Sequence, residues 1–342
     1  MAGGTIDWSI RPGRDTDGPA MIALIWACWS AYPGIRMDVD REMPELHALA
    51  TYYGEKGGAL WVSLVDGKIT GMIAACPADR ATADRATWEI CRLYVSPLLH
   101  GSGLGHRLLD QAEHHAIAAG GQCFILWSDT RFDRAHRFYE KRSFIQFGPV
   151  RVLNDISNSL EYPYTKPVNG LELLDIAAAT SAEARLADIL IACVEAGASV
   201  SFMPPLSREK AQAFWHRVAT DVGVGKRVLI ATWLDGVMVG TGMLDLATAE
   251  NQPHRAEVQK ILVHPSVRRS GLGRRIMQAL EQLALQAGRS LLTLDTRAGD
   301  AGEALYRSQG WHEAGTIPGY ALDVDGSLHD TRFFWKNLEG PQ

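Results

Sequence analysis

The sequence predicts an α/β fold that occurs twice in tandem, each copy being a mixed, mostly antiparallel sheet flanked by helices. The first observation is length, since 342 residues exceed the usual size of one domain. The second is a repeat: Glu89 and Gly103 recur as Glu257 and Gly271, each 168 residues further on, within matching stretches. The third is the order of local patterns in each copy. Hairpin signals come first, then strand, helix and strand, which indicates both antiparallel and parallel neighbours.

The repeat divides the chain into an N-terminal domain, residues 1–168, and a C-terminal domain, residues 169–342. Proline, asparagine and glycine interrupt the pattern between Pro163 and Gly170, so we expect the join there. The period is too long for a solenoid and indicates a fused duplication. Each copy is large enough to bury its own core.

The second copy shows the predicted elements most clearly. Asp235-Gly236 between two apolar runs is a two-residue hairpin signal. Further on, Ile276 and Leu280 have the spacing of a helix with one buried face, which Gly288 ends. The predicted elements are a strand at Leu171–Leu174, a helix at Ser181–Ala196 capped by Thr180 or Ser181, strands at Val228–Trp233, Val237–Leu244 and Glu257–Val263, a helix at Leu272–Ala287, a strand at Ser290–Leu294, a helix at Gly302–Gln309 and a strand at Thr331–Trp335. The first copy follows the same order from Trp8 to Tyr164.

Composition and charge exclude several classes of protein. Apolar residues make up 46% and charged residues 21%, the balance of an ordinary globular chain. Because 34 Lys and Arg stand against 39 Asp and Glu, the net charge of −5 argues against nucleic acid or a membrane surface as partner. No apolar run suits a membrane helix and the first residues lack the apolar core of a secretory signal, so we expect a cytoplasmic protein with a small-molecule partner. Five scattered cysteines without metal-ligand spacing are expected to be reduced, and no metal site is predicted: Cys28, Cys76, Cys91, Cys123 and Cys193.

The chemical signal lies at the turn after the strand Glu257–Val263. From Arg268 to Gly273, two glycines remove side chains where a phosphate could approach the backbone, and amides at the start of the helix point to the same place. Arg269 and Arg274 can add charge-assisted contacts. Gly-x-Gly alone also fits an ordinary tight turn. The turn has neither the Gly-Lys-Ser/Thr of a P-loop nor the third glycine of a dinucleotide fingerprint.

The pattern Arg268-x-x-Gly271-x-Gly273, between a strand and an amphipathic helix and preceded by a hairpin, resembles the pantetheine–pyrophosphate loop of the GNAT superfamily of acetyl-CoA-dependent acetyltransferases. The resemblance covers both halves, and the first copy has His100 in place of the arginine. It implies a GNAT-like fold in each half, acetyl-CoA as cosubstrate, and a strand that splays from its neighbour so that the backbone of Ile261–Val263 pairs with the pantetheine arm. The residues implied to contact acetyl-CoA are Ile261, Leu262, Val263, Arg268, Arg269, Ser270, Gly271, Leu272, Gly273 and Arg274 in the second copy, and Tyr94, Val95, Gly101, Ser102, Gly103, Leu104, Gly105 and His106 in the first.

The second half resembles in particular the tabtoxin-resistance branch of this superfamily, which acetylates a toxic β-lactam amino acid. That resemblance implies three catalytic residues: Glu257 and Asp295, which take a proton from the substrate amine through water, and Tyr306, which protonates the leaving thiolate. The chemistry suits these residue types, because acetyl transfer needs the neutral amine. The shared stretches begin at Gly197, Arg255, Leu294, Gly315 and Phe334.

Each catalytic candidate has a structural alternative. Glu257 could be a surface carboxylate, and Tyr306 could pack beside the sheet. Asp295 could cap the following turn, as Asp129 would in the matching Asp-Thr-Arg stretch of the first copy. The loop Phe202–Pro205 is implied, by the resemblance, to border the acceptor site.

The predicted function is acetyl-CoA-dependent N-acetylation of a primary amine of a small molecule, an antibiotic or toxin being one class of acceptor. Direct attack in a ternary complex is expected, because no cysteine is placed to form an acyl-enzyme. The second copy, which keeps Arg268 and adds Arg269 and Arg274, is expected to carry most of the turnover. In the alternative, the first domain is a non-catalytic binding or scaffold module, or the acceptor is an aminoglycoside or a protein lysine. Two fused copies can replace the pairing of single-domain relatives, which favours a monomer over a homodimer.

Overall fold

A computed structural model of the chain describes residues 8–78 and 86–338. The expectation about a secretory signal concerns the first residues, of which 1–7 lie outside this part. The chain forms two compact units: the first extends to Phe138 and includes Gln146–Val168, and the second consists of Tyr139–Ile145 and the chain from Asn169 onward. The segment Tyr139–Ile145 thus groups with the second unit, although a simple duplication would assign it to the first. No helix within the described residues has the length and apolarity to cross a bilayer.

The N-terminal half is built on one sheet. Its elements are β1 (Ser9–Pro12), α1 (Gly18–Trp29), α2 (Val39–Glu42), α3 (Leu49–Glu55), β2 (Ala59–Val65), β3 (Lys68–Pro77), β4 (Thr87–Val95), α4 (Leu104–Ala118), β5 (Cys123–Asp129), α5 (Asp133–Lys141), β6 (Ile145–Gln146), β7 (Arg151–Val152) and β8 (Leu160–Pro167). The strand order is β1-β2-β3-β4-β5-β8-β6, with β7 also paired to β8. Strands β4 and β5 are parallel, whereas β1-β2, β2-β3, β3-β4, β5-β8 and β7-β8 are antiparallel.

The C-terminal half contains a second sheet of the same kind. Its elements are β9 (Gly170–Leu174), α6 (Ile176–Glu195), α7 (Arg208–Gly223), β10 (Arg227–Leu234), β11 (Val237–Asp245), β12 (Arg255–Val263), α8 (Leu272–Gln286), β13 (Leu291–Arg297), α9 (Ala301–Ser308), β14 (His312–Leu322) and β15 (Leu328–Asn337). The strand order is β14-β15-β13-β12-β11-β10-β9, and only β12 and β13 among these neighbours are parallel. Two mixed, mostly antiparallel sheets with flanking helices confirm the predicted fold class.

Helix α8, which follows the predicted cofactor turn, is held by its apolar face. Ile276, Met277, Leu280 and Ala284 are fully buried and pack in one cluster with Leu292 of β13. These positions have the three- and four-residue spacing that the sequence shows. Packing therefore fixes the start of α8 against the sheet.

The structure shortens the predicted linker between the two copies and corrects the predicted N-cap of helix α6. Strand β8 pairs with β5 from Glu161 to its last residue, Pro167, so only Val168 and Asn169 separate it from β9. The predicted cap at Thr180 or Ser181 is wrong, because α6 begins at Ile176 and the carboxylate of Asp175 accepts a 2.8 Å hydrogen bond from an amide of the first turn. Both hydroxyls instead donate to backbone carbonyls within the helix.

Two elements of the second copy were not predicted. In α7, Ala211, Trp215 and Val218 are buried at helical spacing, which the sequence displays and which could have indicated the helix. Strand β14 is exposed at almost every position, so it lacks the alternation that marks a half-buried strand.

A fork in each sheet positions the site. Strand β12 pairs with β13 only from Arg255 to Glu257, although β12 continues to Val263 and β13 to Arg297. Strand β4 likewise pairs with β5 only from Thr87 to Glu89. Beyond each fork the two parallel strands separate, as the family resemblance implied. Within the described residues, the backbone groups that face each other there pair with no other strand.

A bulge accompanies each fork. The pairing of β11 with β12 shifts between Thr241 and Met243, opposite Lys260, whose φ of 50° is left-handed. The pairing of β3 with β4 shifts in the same way opposite Arg92, whose φ is 54°. A non-glycine residue in this region needs support from its surroundings, and bulges of this kind redirect side chains near functional sites. In each copy, the bulge therefore lies at a cationic residue close to the fork.

Candidate active site

The turn before α8 leaves an open helix terminus in the second copy. Gly271 caps the helix with φ of 80°, and no atom lies within 4 Å of a Cβ placed on it. Ser270 Oγ donates a 2.7 Å hydrogen bond backward to the carbonyl of Val267. Within the described chain, the amides of Leu272, Gly273 and Arg274 have no acceptor. Free amides at a helix start form a site for an anion such as pyrophosphate.

Arginines surround this terminus. Arg268, Arg269 and Arg274 are exposed next to the free amides. Arg269 itself adopts a left-handed φ of 65°, a conformation that its counterpart Gly101 reaches more easily. The turn thus combines positive charge with amides that have no acceptor within the described residues.

In the corresponding turn of the first copy, some of the amides at the helix start already donate hydrogen bonds within the turn. Ser102 Oγ accepts a 3.3 Å hydrogen bond from the amide of Leu104, and the carbonyl of Gly103 accepts one of 3.1 Å from that of His106. The His100 ring lies 3.2 Å from the carbonyl of Val95, and burial, followed by the nearby Arg134 charge, lowers the pKa of His100. A neutral imidazole replaces the arginine, so this terminus attracts anions less strongly.

The two candidate carboxylates of the second copy meet at the fork. Glu257 is the last residue of β12 paired with β13, opposite Thr293, and Asp295 lies two residues further along the same face. Although part of the Asp295 side chain reaches solvent, burial of the rest, and then the negative charge of Glu257, raise the pKa of Asp295. Gln259 Nε2 donates a 2.9 Å hydrogen bond to Glu257. A pair of carboxylates that repel each other is suited to accept a proton or bind an ammonium.

Tyr306 of α9 lies within reach of the same charges. Its ring packs against Trp311 and Phe334, with centroids 6.2 and 5.8 Å away. Burial, and then the carboxylates of Asp300 and Asp295, raise the pKa of Tyr306 to about 12. The hydroxyl therefore keeps its proton at neutral pH and can act as a hydrogen-bond donor.

In the first copy, the position that corresponds to Asp295 holds a different residue type. Opposite Glu89 stands Ile125, so Trp127 occupies the place that Asp295 holds beyond the fork. The guanidinium of Arg151 lies 4.0 Å above the Trp127 ring. The sequence match of Asp295 with Asp129 is therefore wrong in the sheet register. Strand pairing rather than the shared Asp-Thr-Arg letters decides which residues correspond.

Asp129 instead stabilises the loop after β5. Its carboxylate binds Arg131 at 2.5 and 2.8 Å, and Arg131 also donates to Ser159 Oγ at 2.8 Å. Burial alone would raise the pKa of Asp129, but the hydrogen bonds from Arg131 outweigh it and hold the pKa below its usual range. These contacts describe a structural ion pair.

Asp129→Asn is expected to lower the free energy of unfolding by about 1–3 kcal/mol at neutral pH and to leave turnover of the folded protein unchanged. Because the folded pKa is depressed, the contribution is present above the ordinary carboxyl value of about 3.9 and is lost as pH falls through the folded value. Urea unfolding at pH 7 and at low pH measures both. A large loss of turnover with unchanged stability would contradict the structural role.

Sequence reasoning missed Lys260 and the thiol of Cys193. Lys260 recurs as Arg92 at the offset of the repeat, a signal available in the sequence. Cys193 Sγ lies 3.5 Å from the carbonyl of Val263, at the end of the strand next to the fork, and burial raises the pKa of this thiol. The loop Phe202–Pro205 contributes Phe202, whose ring lies 6.0 Å from Lys260 Nζ.

Parts of the chain are similar in sequence to known proteins. The profile of a family described as "Acetyltransferase (GNAT) family" matches residues 19–144 and 195–311. An uncharacterised N-acetyltransferase from Azospirillum brasilense is 33% identical over 114 residues, which cover 33% of this chain and 66% of that protein. A probable N-acetyltransferase from Mycobacterium tuberculosis is 31% identical over 142 residues, 40% of this chain and 78% of the relative.

Solved structures of other proteins align with about half of the chain. A putative acetyltransferase from Salmonella typhimurium, solved with its cofactor acetyl-CoA, is 18% identical with a TM-score of 0.43 and covers 50% of this chain and 95% of its own. A ribosomal-protein-alanine N-acetyltransferase from Brucella melitensis is 22% identical with a TM-score of 0.42, over 49% of this chain and 99% of its own.

Proposed function

Because the chain belongs to the acetyltransferase (GNAT) family, we propose that its second copy transfers an acetyl group from acetyl-CoA to the primary amine of a small molecule, by direct attack in a ternary complex. The proposal extends to a toxin or antibiotic as acceptor, on the stretches shared with the tabtoxin-resistance branch. A cytoplasmic location and a monomeric state stay predictions from the sequence.

The observation that carries the proposal is the fork beside an open helix terminus. The unpaired edge of Val258–Val263 offers backbone groups to an extended ligand, and the free amides of Leu272–Arg274 offer donors to its phosphates. Arg268 and Arg269 add positive charge. These residues fit acetyl-CoA, which supplies the activated acetyl group.

The proposed role of the carboxylates at the fork is to remove a proton from the ammonium of the acceptor. An ammonium has no free electron pair, so Asp295, assisted by Glu257, would accept its proton directly or through water. The raised pKa of Asp295 means that its ionised form is a stronger base than an ordinary carboxylate. The negative pair also attracts the cationic acceptor.

In this proposal Tyr306 donates a proton to the leaving sulfur, and Cys193 does not act as a nucleophile. A tyrosine that keeps its proton can donate to a departing sulfur. Cys193 is 1% exposed and its pKa is raised by burial, so it is a protonated thiol and a poor nucleophile. This supports direct attack over an acyl-enzyme.

For the first copy we propose a binding or scaffold role without turnover. Trp127 stands where a second carboxylate would lie, and His100 and Ser102 weaken the anion site. Calorimetric titration with acetyl-CoA tests this role. Two sites of equal affinity, together with activity that survives loss of the second site, would contradict it.

The experiment that tests the proposed function is release of free thiol from acetyl-CoA by the full-length protein with a panel of amines. β-Lactam amino acids, aminoglycosides and a lysine-bearing peptide separate the acceptor classes. Acceptor-dependent release, with the acetylated amine found by mass spectrometry, is the expected result. Release with no panel member above the acceptor-free rate would overturn the proposal.

Tyr306→Phe is expected to lower kcat roughly 10- to 100-fold and to change the KM for acetyl-CoA little, because only the donated proton is lost. Since the pKa of Tyr306 is raised to about 12, wild-type activity should not fall between pH 8 and 10 through ionisation of this residue. Tyr320→Phe, on an exposed tyrosine of β14, is the control and should retain full activity. An unchanged kcat for Tyr306→Phe would assign the ring to packing alone.

A further inference from the structure

Lys260 places its ammonium near two aromatic rings beside the fork. Its Nζ lies 6.0 Å from the ring centroid of Phe202 and 5.7 Å from that of Phe214, and it donates a 3.3 Å hydrogen bond to Ser201 Oγ. Burial, together with the charge of Arg227, lowers the pKa of Lys260, while the charges of Asp295 and Glu257 oppose that shift. The lysine therefore shares the electrostatic environment of the candidate carboxylates.

Lys260 differs from its counterpart in the first copy by having no ion pair. Arg92, at the same bulge position, binds Glu45 at 2.6 Å. Across the described part of the chain, no carboxylate lies within 4.0 Å of Lys260 Nζ. Placing a half-buried cation without a counter-ion costs free energy, so a charge that arrives with a ligand would be bound favourably.

The charges of Asp295, Glu257 and Lys260 together form a pattern that an acceptor can match. Neither Asp295 nor Glu257 forms an ion pair within the described residues, and Lys260 stands beside them unpaired as well. Two negative groups and one positive group complement a molecule with an ammonium and a nearby anion. Lys260 Nζ and the Ser201 hydroxyl are adjacent donors, which suits the two oxygens of a carboxylate.

We propose that Lys260 is a specificity-determining residue that binds a carboxylate of the acceptor while the amine to be acetylated faces Asp295 and Glu257. The substrate class is then zwitterionic amines of the amino-acid type. This inference rests on the proposed acetyl transfer in the second copy and goes beyond it by assigning an acidic group to the acceptor.

Matched pairs of acceptors test the inference. Each pair consists of an amino acid and its decarboxylated counterpart, for example L-lysine with cadaverine and L-phenylalanine with phenethylamine, together with β-lactam amino acids. Thiol release from acetyl-CoA gives kcat/KM for each compound. The wild type is expected to favour the carboxylated member of each pair that it accepts.

In Lys260→Met, the preference for the carboxylated member is expected to fall roughly 10- to 100-fold, the usual effect of losing a hydrogen bond between charged groups. Lys260→Arg should keep most of the preference, since the equivalent bulge of the first copy holds an arginine, Arg92, with a similar left-handed φ. Lys210→Met is the matched control: its ammonium lies 5.9 Å from the Phe202 ring but is exposed, and its removal should leave the preference unchanged. Ser201→Ala, at an exposed residue, gives a second variant with a smaller loss if Lys260→Met does not fold.

Three outcomes overturn the inference and separate it from the proposed function. Equal use of both members by the wild type, or an equal loss on both in Lys260→Met, would show that Lys260 does not bind the carboxylate, although acetyl transfer stands. Transfer only to amines without an acidic group would do the same. No transfer to any amine would remove the proposed function together with the inference.

Discussion

Gly271→Glu is expected to abolish acetyl transfer, whereas Gly103→Glu is expected to leave at least half of it. A glutamate at the cap of α8 places a negative charge where we propose that pyrophosphate binds, and it repels the phosphates from the free amides of Leu272 and Gly273. We expect the KM for acetyl-CoA to rise more than about 100-fold, or turnover to become undetectable. Thiol release at several acetyl-CoA concentrations measures both.

The two glycines form an unusually well-matched pair of positions. Their φ angles are 80° and 87°, and at neither does an added Cβ meet an atom within 4 Å. Each substitution should therefore cost about the same strain, roughly 1–2 kcal/mol for a left-handed non-glycine residue. Thermal unfolding of both variants tests this equality. If Gly103→Glu abolished activity while Gly271→Glu kept it, the first copy would be the catalytic one.

Asp295→Asn is expected to lower kcat by about 10² to 10⁴ without a comparable change in the KM for acetyl-CoA, because the amide cannot accept the proton of the amine. Asn fills the same volume, and the stability of the variant should stay near that of the wild type. Asp129→Asn is the matched control, since the two aspartates stand in identical Asp-Thr-Arg stretches. If Asp295 only capped a turn, stability would fall and kcat would not.

The pH dependence follows from the same pair. The base works when ionised, so activity rises as pH increases through the pKa of Asp295, which burial and Glu257 place above the ordinary aspartate value. Glu257→Gln removes the repelling charge and should lower the pKa of Asp295, which shifts the acid limb of kcat/KM to lower pH. Rate profiles from pH 4 to 8 of the wild type and Glu257→Gln show the shift. An acid limb that moved to higher pH would contradict the coupling.

Much of the fold was readable from local chemistry. The amphipathic period of Ile276 and Leu280 and the glycine at 288 bounded α8 to within a residue of its observed end, because helix periodicity and left-handed glycines are properties of neighbouring residues. The hairpin at Asp235-Gly236 was found for the same reason. Strand β14 was not predicted, because its exposed residues show no alternation of apolar and polar side chains.

Comparing the two copies by sequence matched one catalytic candidate correctly and another wrongly. Glu257 and Glu89 were matched correctly because the repeat is continuous around them. Asp129 was matched with Asp295 by identical letters, but the partner strand sets the register and places Trp127 at that position. A shift of two residues keeps a side chain on the same face and moves it along the strand, away from the fork.

By itself, the sequence determined that the chain is a duplication and that a glycine turn opens a helix after a strand in each copy, and a family resemblance added Glu257 and Asp295 as catalytic candidates. Only the tertiary structure decided which carboxylates meet, which helix terminus keeps its amides free, and that Lys260 lies unpaired beside them. The physical reason is that strand register, burial and ion pairing depend on residues far apart in the chain. Turn conformation and helix periodicity depend on residues next to one another.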